Sequence, residues 1–156
     1  MNRPEEVEAP LEVCAAVVRR QRRFLLATRP AGKHLAEHWE FPGGKVHAGE
    51  TLEACIIREL REELGVTVQA PHWLATLDHA YPGKHIRLHF LAGDLPATAE
   101  PHPHEGQRLG WFTPAEMGAL LLAPADRRFA ERLARTPEWN GETAPAPTPP
   151  TAAPRP

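Results

Sequence analysis

Residues 51–64 lie between a strong breaker, Pro42-Gly43-Gly44, and a glycine, Gly65, that suits the end of a helix. Thr51 stands where an N-cap or first-turn residue belongs, and Leu52, Cys55, Ile56, Leu60 and Leu64 recur at helical spacing. A helix is therefore predicted over 51–64. On it Glu59, Glu62 and Glu63 stand at i, i+3 and i+4, so their side chains fall within about 100° of arc. Three carboxylates that close repel one another and weaken an isolated helix. A solvated charged face is the ordinary reading of such a pattern. A bound hard cation is the other, since Mg2+ and Mn2+ prefer carboxylate oxygen and usually also take substrate phosphate. Arg58 is placed to hold one of the glutamates, and Glu50 adds a fourth carboxylate near the helix start. The Gly43-Gly44 pair lets the backbone approach closely, so a carbonyl can join a metal shell.

Around this segment strand and helix signals alternate. Strands are predicted over 11–19, 24–28, 39–41, 66–68, 73–78 and 109–112, with strict alternation at 85–90 marking a half-buried strand. The basic run Arg19 to Arg23 fits a solvated hairpin tip better than a phosphate patch. A helical turn or two is expected over 116–122 and a terminal helix over 126–135, with Phe129, Ala130 and Leu133 inward. The expectation is a mixed α/β fold with helices packed on a strand-rich core. Residues 143–156 are almost entirely Ala, Pro and Thr, a composition that cannot bury a core. The expected organisation is a mobile N-terminus (1–10), one domain (11–136) and a passive, disordered tail (137–156).

A chain of 156 residues with 42% apolar and 24% charged residues is that of a one-domain globular protein. The net charge of -2 argues against binding long nucleic acid, though a cation can still bridge acidic residues to a small phosphorylated substrate. No apolar run is long enough to span a bilayer and no signal-peptide core stands at the N-terminus, so no membrane association is expected and a cytoplasmic location is. Cys14 and Cys55 are read as buried free thiols.

The stretch GKVHAGETLEACIIRELREELGV (44–66) resembles the box that defines the Nudix hydrolases, G-x5-E-x7-R-E-U-x-E-E-x-G-U with U a bulky aliphatic. Every fixed position is present: Gly44, Glu50, Arg58, Glu59, Leu60, Glu62, Glu63, Gly65 and Val66. The resemblance implies an α-β-α sandwich with a mixed β-sheet and a loop-helix-loop whose glutamates bind divalent metal. It extends to the MutT-like branch through HLAEHWEFPGGK (34–45) and His104-Glu105-Gly106-Gln107, and covers about residues 11–135.

That branch cleaves a nucleoside triphosphate into a monophosphate and pyrophosphate by attack of water at the β phosphorus. The site it implies here has Gly43, Glu59, Glu62, Glu63 and Glu105 around two or three Mg2+ ions, with Mn2+ as substitute. Arg58 would orient Glu59, and Glu59, Glu62 or Glu105 would take the proton of the water. Glu50 and Lys45 complete the catalytic set, Lys45 by neutralising departing phosphate. Arg29, His34, Phe41, Lys84 and Asp126 are the substrate-binding candidates. Asp126 falls where the branch reads the base. MutT itself carries asparagine there, and some relatives, among them a CTP-preferring one, carry aspartate. An ionised aspartate only accepts hydrogen bonds, so it selects a donor-rich base edge or is itself protonated when buried. A plain helix N-cap is its other reading.

The implied role is nucleotide-pool cleaning on 8-oxo-dGTP or another damaged purine nucleotide, with CTP or dCTP the second choice. A non-catalytic domain that senses a nucleotide or binds RNA is the rival, and such domains often lose box carboxylates that this chain retains. A monomer or weak homodimer is expected. His102 and His104 read as exposed loop residues, since no further zinc ligands stand at a recognised spacing. His85, Arg87 and His89 read as the polar face of their strand. Trp39 and Trp73 read as core.

Overall fold

A computed structural model of the chain describes residues 9–33 and 35–140. His34, residues 1–8 of the expected mobile N-terminus and residues 141–156 of the expected tail lie outside the described residues.

Seven strands form one mixed sheet: β1 (Leu11–Arg20), β2 (Arg23–Thr28), β3 (Trp39–Glu40), β4 (Gly43–Lys45), β5 (Gln69–Tyr81), β6 (Lys84–Asp94) and β7 (Leu109–Phe112). The helices are α1 (Leu52–Leu64), α2 (Pro114–Met117), α3 (Pro124–Ala134) and α4 (Pro137–Asn140). The central strand is β1. It pairs in parallel with β6, from Leu11 opposite Ile86 to Val18 opposite Gly93. It also pairs antiparallel with β4 at Val13–Lys45, Cys14–Gly44 and Ala15–Gly43, and at its far end with β2.

Because side chains alternate across a strand, β1 feeds two cores. Ala15 and Val17 join Phe24, Leu26, Phe90 and Phe129 on the α3 side. Cys14, Ala16 and Val18 join Leu25, Leu91 and the apolar stripe of α1 (Cys55, Ile56, Leu60, Leu64) on the other. The result is the expected α-β-α layering. Full burial of the α1 leucines contributes about 1.5–3 kcal/mol each, which outweighs the repulsion among the glutamates on the opposite stripe. Thr51 is the N-cap of α1, its Oγ1 accepting from Ala54 N at 3.0 Å, and Gly65 ends the helix with φ +66°.

Several expectations need correction. Residues 66–68 are not a strand; Val66 and Val68 instead drop into the α1-side core from an irregular segment. Gly43 and Gly44, read as part of a breaker, form with Lys45 a strand that pairs with β1. Pro137–Asn140, assigned to the tail, forms a single helical turn tied down by Arg19, whose Nη1 donates to the Glu138 carbonyl at 2.9 Å. Trp73 is not core: its side chain lies out on the surface, 57% exposed, with Nε1 donating to Thr76 Oγ1. Cys14 and Cys55 are not free but joined in a disulfide between β1 and α1, two fully buried positions whose Cα atoms are 6.8 Å apart. The hairpin arginines serve the fold: Arg20 lies over the Trp111 ring and donates to the Pro96 and Ala99 carbonyls, while Arg23 pairs with Glu116.

Candidate active site

One cavity of about 430 Å³ opens between β1, β4, the polar stripe of α1, the β5–β6 hairpin and the start of α3. It gathers Gly43, Lys45, Arg58, Glu59, Glu62, Glu63 and Glu105 with Arg29, Phe41, Lys84 and Asp126. Among the described candidates Glu50 is not on its wall but stands behind Arg58; His34 lies outside the described residues. Ile86 and Leu88 line the cavity, so His85, Arg87 and His89 lie on the opposite face of β6. There Arg87 pairs with Asp78, and His89 Nε2 meets Glu12 Oε1 at 2.6 Å.

The acidic end is built around one guanidinium. Arg58 holds Glu50 with two contacts, Nε to Oε2 at 2.6 Å and Nη2 to Oε1 at 2.9 Å, and donates from Nη2 to the Lys45 carbonyl at 3.0 Å. Its Nη1 stands 3.3 Å from both Glu59 Oε2 and Glu62 Oε2. Glu50 also accepts from His47 N at 2.9 Å. These bonds hold its carboxyl down to about 2, the Arg58 hydrogen bond first and the His47 amide second. Glu50 therefore anchors Arg58, and Arg58 aims Glu59 and Glu62. The Glu59 carboxylate is packed directly over the α-carbon of Gly44, where a Cβ would overlap it.

The charge at this end is unbalanced. Burial, then the nearby Glu59, Glu40, Glu105 and Glu62, push the Glu63 carboxyl up to about 8. Burial also raises Glu59, against the pull of Arg58. Among the described residues no three such side chains are gathered into a closed metal-binding group. The donor set nevertheless suits a hard divalent cation: several carboxylates and a glycine backbone share one wall, and the half-buried Glu63 carboxyl is raised by burial and by the glutamates around it. A cation there would let all of these groups ionise.

The other end is apolar, walled by Val13, Phe41, Ile86, Leu88 and Ala125. Phe41 is fixed edge-on against Phe90 and Phe129, at centroid distances of 5.8 and 5.5 Å. Its N–H donates to Asp126 Oδ1 at 2.9 Å. The cap of α3 is Ala123, with no side-chain bond, so the N-cap reading of Asp126 fails; the carboxyl sits in the first turn and faces inward. Burial and the charge of Glu40 raise Asp126 well above the ordinary aspartate range, opposed by the Phe41 amide and Arg29. Glu40 is a site residue the sequence reading missed. Burial lifts it to about 7, against the pull of Arg29, whose Nε is 3.9 Å away. Its position one residue before Phe41 in a short strand was the available signal. Tyr81, Lys33 and His47 also line the cavity unannounced.

The raised carboxyls predict a pH effect. Glu63 and Glu40 stay protonated in the fold over a range where the unfolded chain, near 4.5, has ionised them. Their contribution to stability is full below about 4.5 and is lost as pH rises through about 7 and then about 8. The metal-free protein should melt at progressively lower temperature from about pH 5 to about pH 8.5. Glu63→Gln should flatten the upper part of that fall, and a variant with the wild-type slope would contradict this account.

The NUDIX domain model matches residues 9–133. The CTP pyrophosphohydrolase of Escherichia coli (strain K12) is 40% identical over 117 residues, covering 74% of this chain and 85% of that protein. The 8-oxo-dGTP diphosphatase of the same organism is 33% identical over 126 residues, covering 80% and 97%. Among solved structures, the MutT NUDIX hydrolase from Burkholderia pseudomallei superposes with a TM-score of 0.73 at 30% identity, covering 81% of this chain and 99% of that one.

Proposed function

The chain belongs to the NUDIX domain family, and on that footing we propose that this hydrolase takes a nucleoside triphosphate and water to a nucleoside monophosphate and pyrophosphate with Mg2+ as cofactor. The observation that carries the reading is one cavity with two unlike ends: α1 carboxylates and the glycine pair at one, an apolar slot with the carboxyls of Glu40 and Asp126 at the other. That is the arrangement a polyphosphate joined to a base requires.

Glu59, Glu62, Glu63, Glu105 and Gly43 would hold the Mg2+, which when bound neutralises phosphate charge and lowers the pKa of the attacking water. The chain's own groups do the rest. Arg58, itself anchored by Glu50, fixes Glu59 and Glu62. One of Glu59, Glu62 and Glu105 takes the proton of the water. Its oxygen bonds to the β phosphorus as the bond from that phosphorus to the α–β bridging oxygen breaks, and the electron pair leaves with the monophosphate. Lys45 and Lys84, both on the cavity wall, offset phosphate charge. Alignment and fixed charge then supply most of the rate.

At the base end Phe41 offers an apolar wall, while Arg29, Asp126 and Glu40 offer polar groups. The first-choice substrate is 8-oxo-dGTP or another oxidised purine triphosphate, which makes the role one of nucleotide-pool cleaning. A CTP or dCTP preference is the second reading, favoured by the paired carboxyls of Glu40 and Asp126 and by the 40% identity to a CTP pyrophosphohydrolase. The retained box carboxylates argue against a purely sensing module.

The test is pyrophosphate release from 8-oxo-dGTP, dGTP, CTP, dCTP and ADP-ribose with Mg2+, in the wild type and in Glu62→Gln. Pyrophosphate should come from a triphosphate, and Glu62→Gln should lose roughly tenfold or more of the turnover. Undiminished turnover in a folded Glu62→Gln would refute the metal assignment.

A further inference from the structure

The last carbonyls of a helix have no partner further along it and must find one elsewhere. At the end of α1 one short stretch of the β6–β7 connection takes three of them. His102 N–H donates to the Leu64 carbonyl and His104 N–H to the Glu63 carbonyl, both at 3.0 Å. The His104 ring takes the third: Nδ1 lies 2.8 Å from the Glu62 carbonyl. A carbonyl only accepts, so Nδ1 carries the proton. The ring also lies close over Gly65, where an added Cβ would come within 3.1 Å of Nε2 and 3.2 Å of Cε1. Gly65 thus serves both the left-handed turn that ends α1 and the seat of the imidazole.

The residue after His104 is Glu105, which shares the cavity wall with Glu59, Glu62 and Glu63 and whose charge acts on Glu63. Glu105 is gripped from the other side as well, its N–H donating at 2.9 Å to Oε1 of the buried Gln107. The intervening segment is exposed, and Gly106 turns it at φ +75°. The three bonds to the end of α1 tie the loop to the helix that carries the other carboxylates.

We propose that His104 is a positioning residue: its ring bond to the Glu62 carbonyl locks the loop onto the end of α1 and so holds the Glu105 carboxylate opposite the α1 glutamates in the divalent-cation site. This rests on the reading above that Glu105 contributes to that site. The two backbone bonds survive any substitution at 104 other than proline, so the ring bond can be removed alone. The imidazole acts on the cation only through Glu105, which makes the effects of the two residues non-additive.

The experiment is Mn2+ binding to the metal-free protein, read by electron paramagnetic resonance, without substrate. The variants are His104→Leu, His104→Asn, Glu105→Gln and the double variant His104→Leu with Glu105→Gln. Melting without metal checks the fold; if His104→Leu melts early, His104→Gln, whose amide lies one bond too far out, replaces it in the cycle. His104→Leu should weaken Mn2+ binding about tenfold. His104→Asn, whose amide nitrogen sits near the place of Nδ1, should bind as the wild type does. Glu105→Gln should be weakened at least as much as His104→Leu, and the double variant no further. Wild-type affinity in His104→Leu beside a weakened Glu105→Gln overturns the proposal alone. Wild-type affinity in Glu105→Gln overturns it together with the role given to Glu105. Additive losses, or no rescue by asparagine, also overturn it.

Discussion

Alanine at position 44 is expected to lower kcat by about 10²-fold while barely shifting the melting temperature. A Cβ there would occupy the space of the Glu59 carboxylate, and the colliding atoms are the free end of a flexible side chain. The backbone need not move; the carboxylate swings away instead. That swing takes Glu59 out of reach of Arg58 and away from the other glutamates, a displacement of the size that costs a positioned group its effect. Stability is spared because Glu59 is a half-buried acid raised by its surroundings, and releasing it to water removes a desolvation cost. Steady-state pyrophosphate release beside a melting curve reads both quantities. An alanine variant with full kcat would mean that the Glu59 carboxylate does not need its seat on Gly44.

The neighbouring glycine should respond in the opposite way. Gly43→Ala is expected to lose about 3 kcal/mol or more of stability, at the upper end of what overpacking costs, and roughly 10 °C of melting temperature. A Cβ on Gly43 would run into the Cys14 carbonyl oxygen and come 2.8 Å from the Ala15 Cα, both main-chain atoms of β1. Retreat by β1 is blocked, since its other edge is paired with β6 from Leu11 to Val18. β4 must lift away instead, losing its pairing at Val13, Cys14 and Ala15. Thermal melting without metal decides the matter. A shift of only a degree or two would show that β4 is not held as closely as the structure has it. The two alanines thus separate the roles of adjacent glycines, one keeping the Glu59 carboxylate in place and the other keeping a strand.

The helix that carries the glutamates was legible because every signal for it is local: Thr51 as cap, a stripe of apolar residues, Gly65 as stop. The β6 strand was legible for the same reason, its alternation at 85–90 matching its two faces. What was not legible depends on distant partners. Gly43–Lys45 has poor strand propensity and is a strand only because β1 lies against it. Val66 and Val68 have good strand propensity but no neighbouring strand to pair with. Trp73 has the bulk and propensity of a core strand residue, but its side chain meets solvent instead. At the site the box residues fell together as their spacing implied, whereas Glu40 gained its character from the docking of α3 and Asp126 beside it. Its place one residue before Phe41 could mark it as near the site, but not the raised carboxyl that those distant partners give it.

The parallel ladder between β1 and β6 has a consequence for how the chain is made. The first strand leaves the ribosome early, with five successive residues, Cys14 to Val18, that end up buried. Its neighbour on that side is translated only after β2, β3, β4, α1 and β5. Hairpin partners can cover the opposite edge as soon as they emerge, but the β6 edge stays open until all of these have been made, the exposure that makes nascent sheets prone to stray pairing. Closure of that long loop brings Val13 and Ala15 beside Leu88 and Phe90, so the floor of the nucleotide cavity is completed only after the helix that bears its glutamates has been translated.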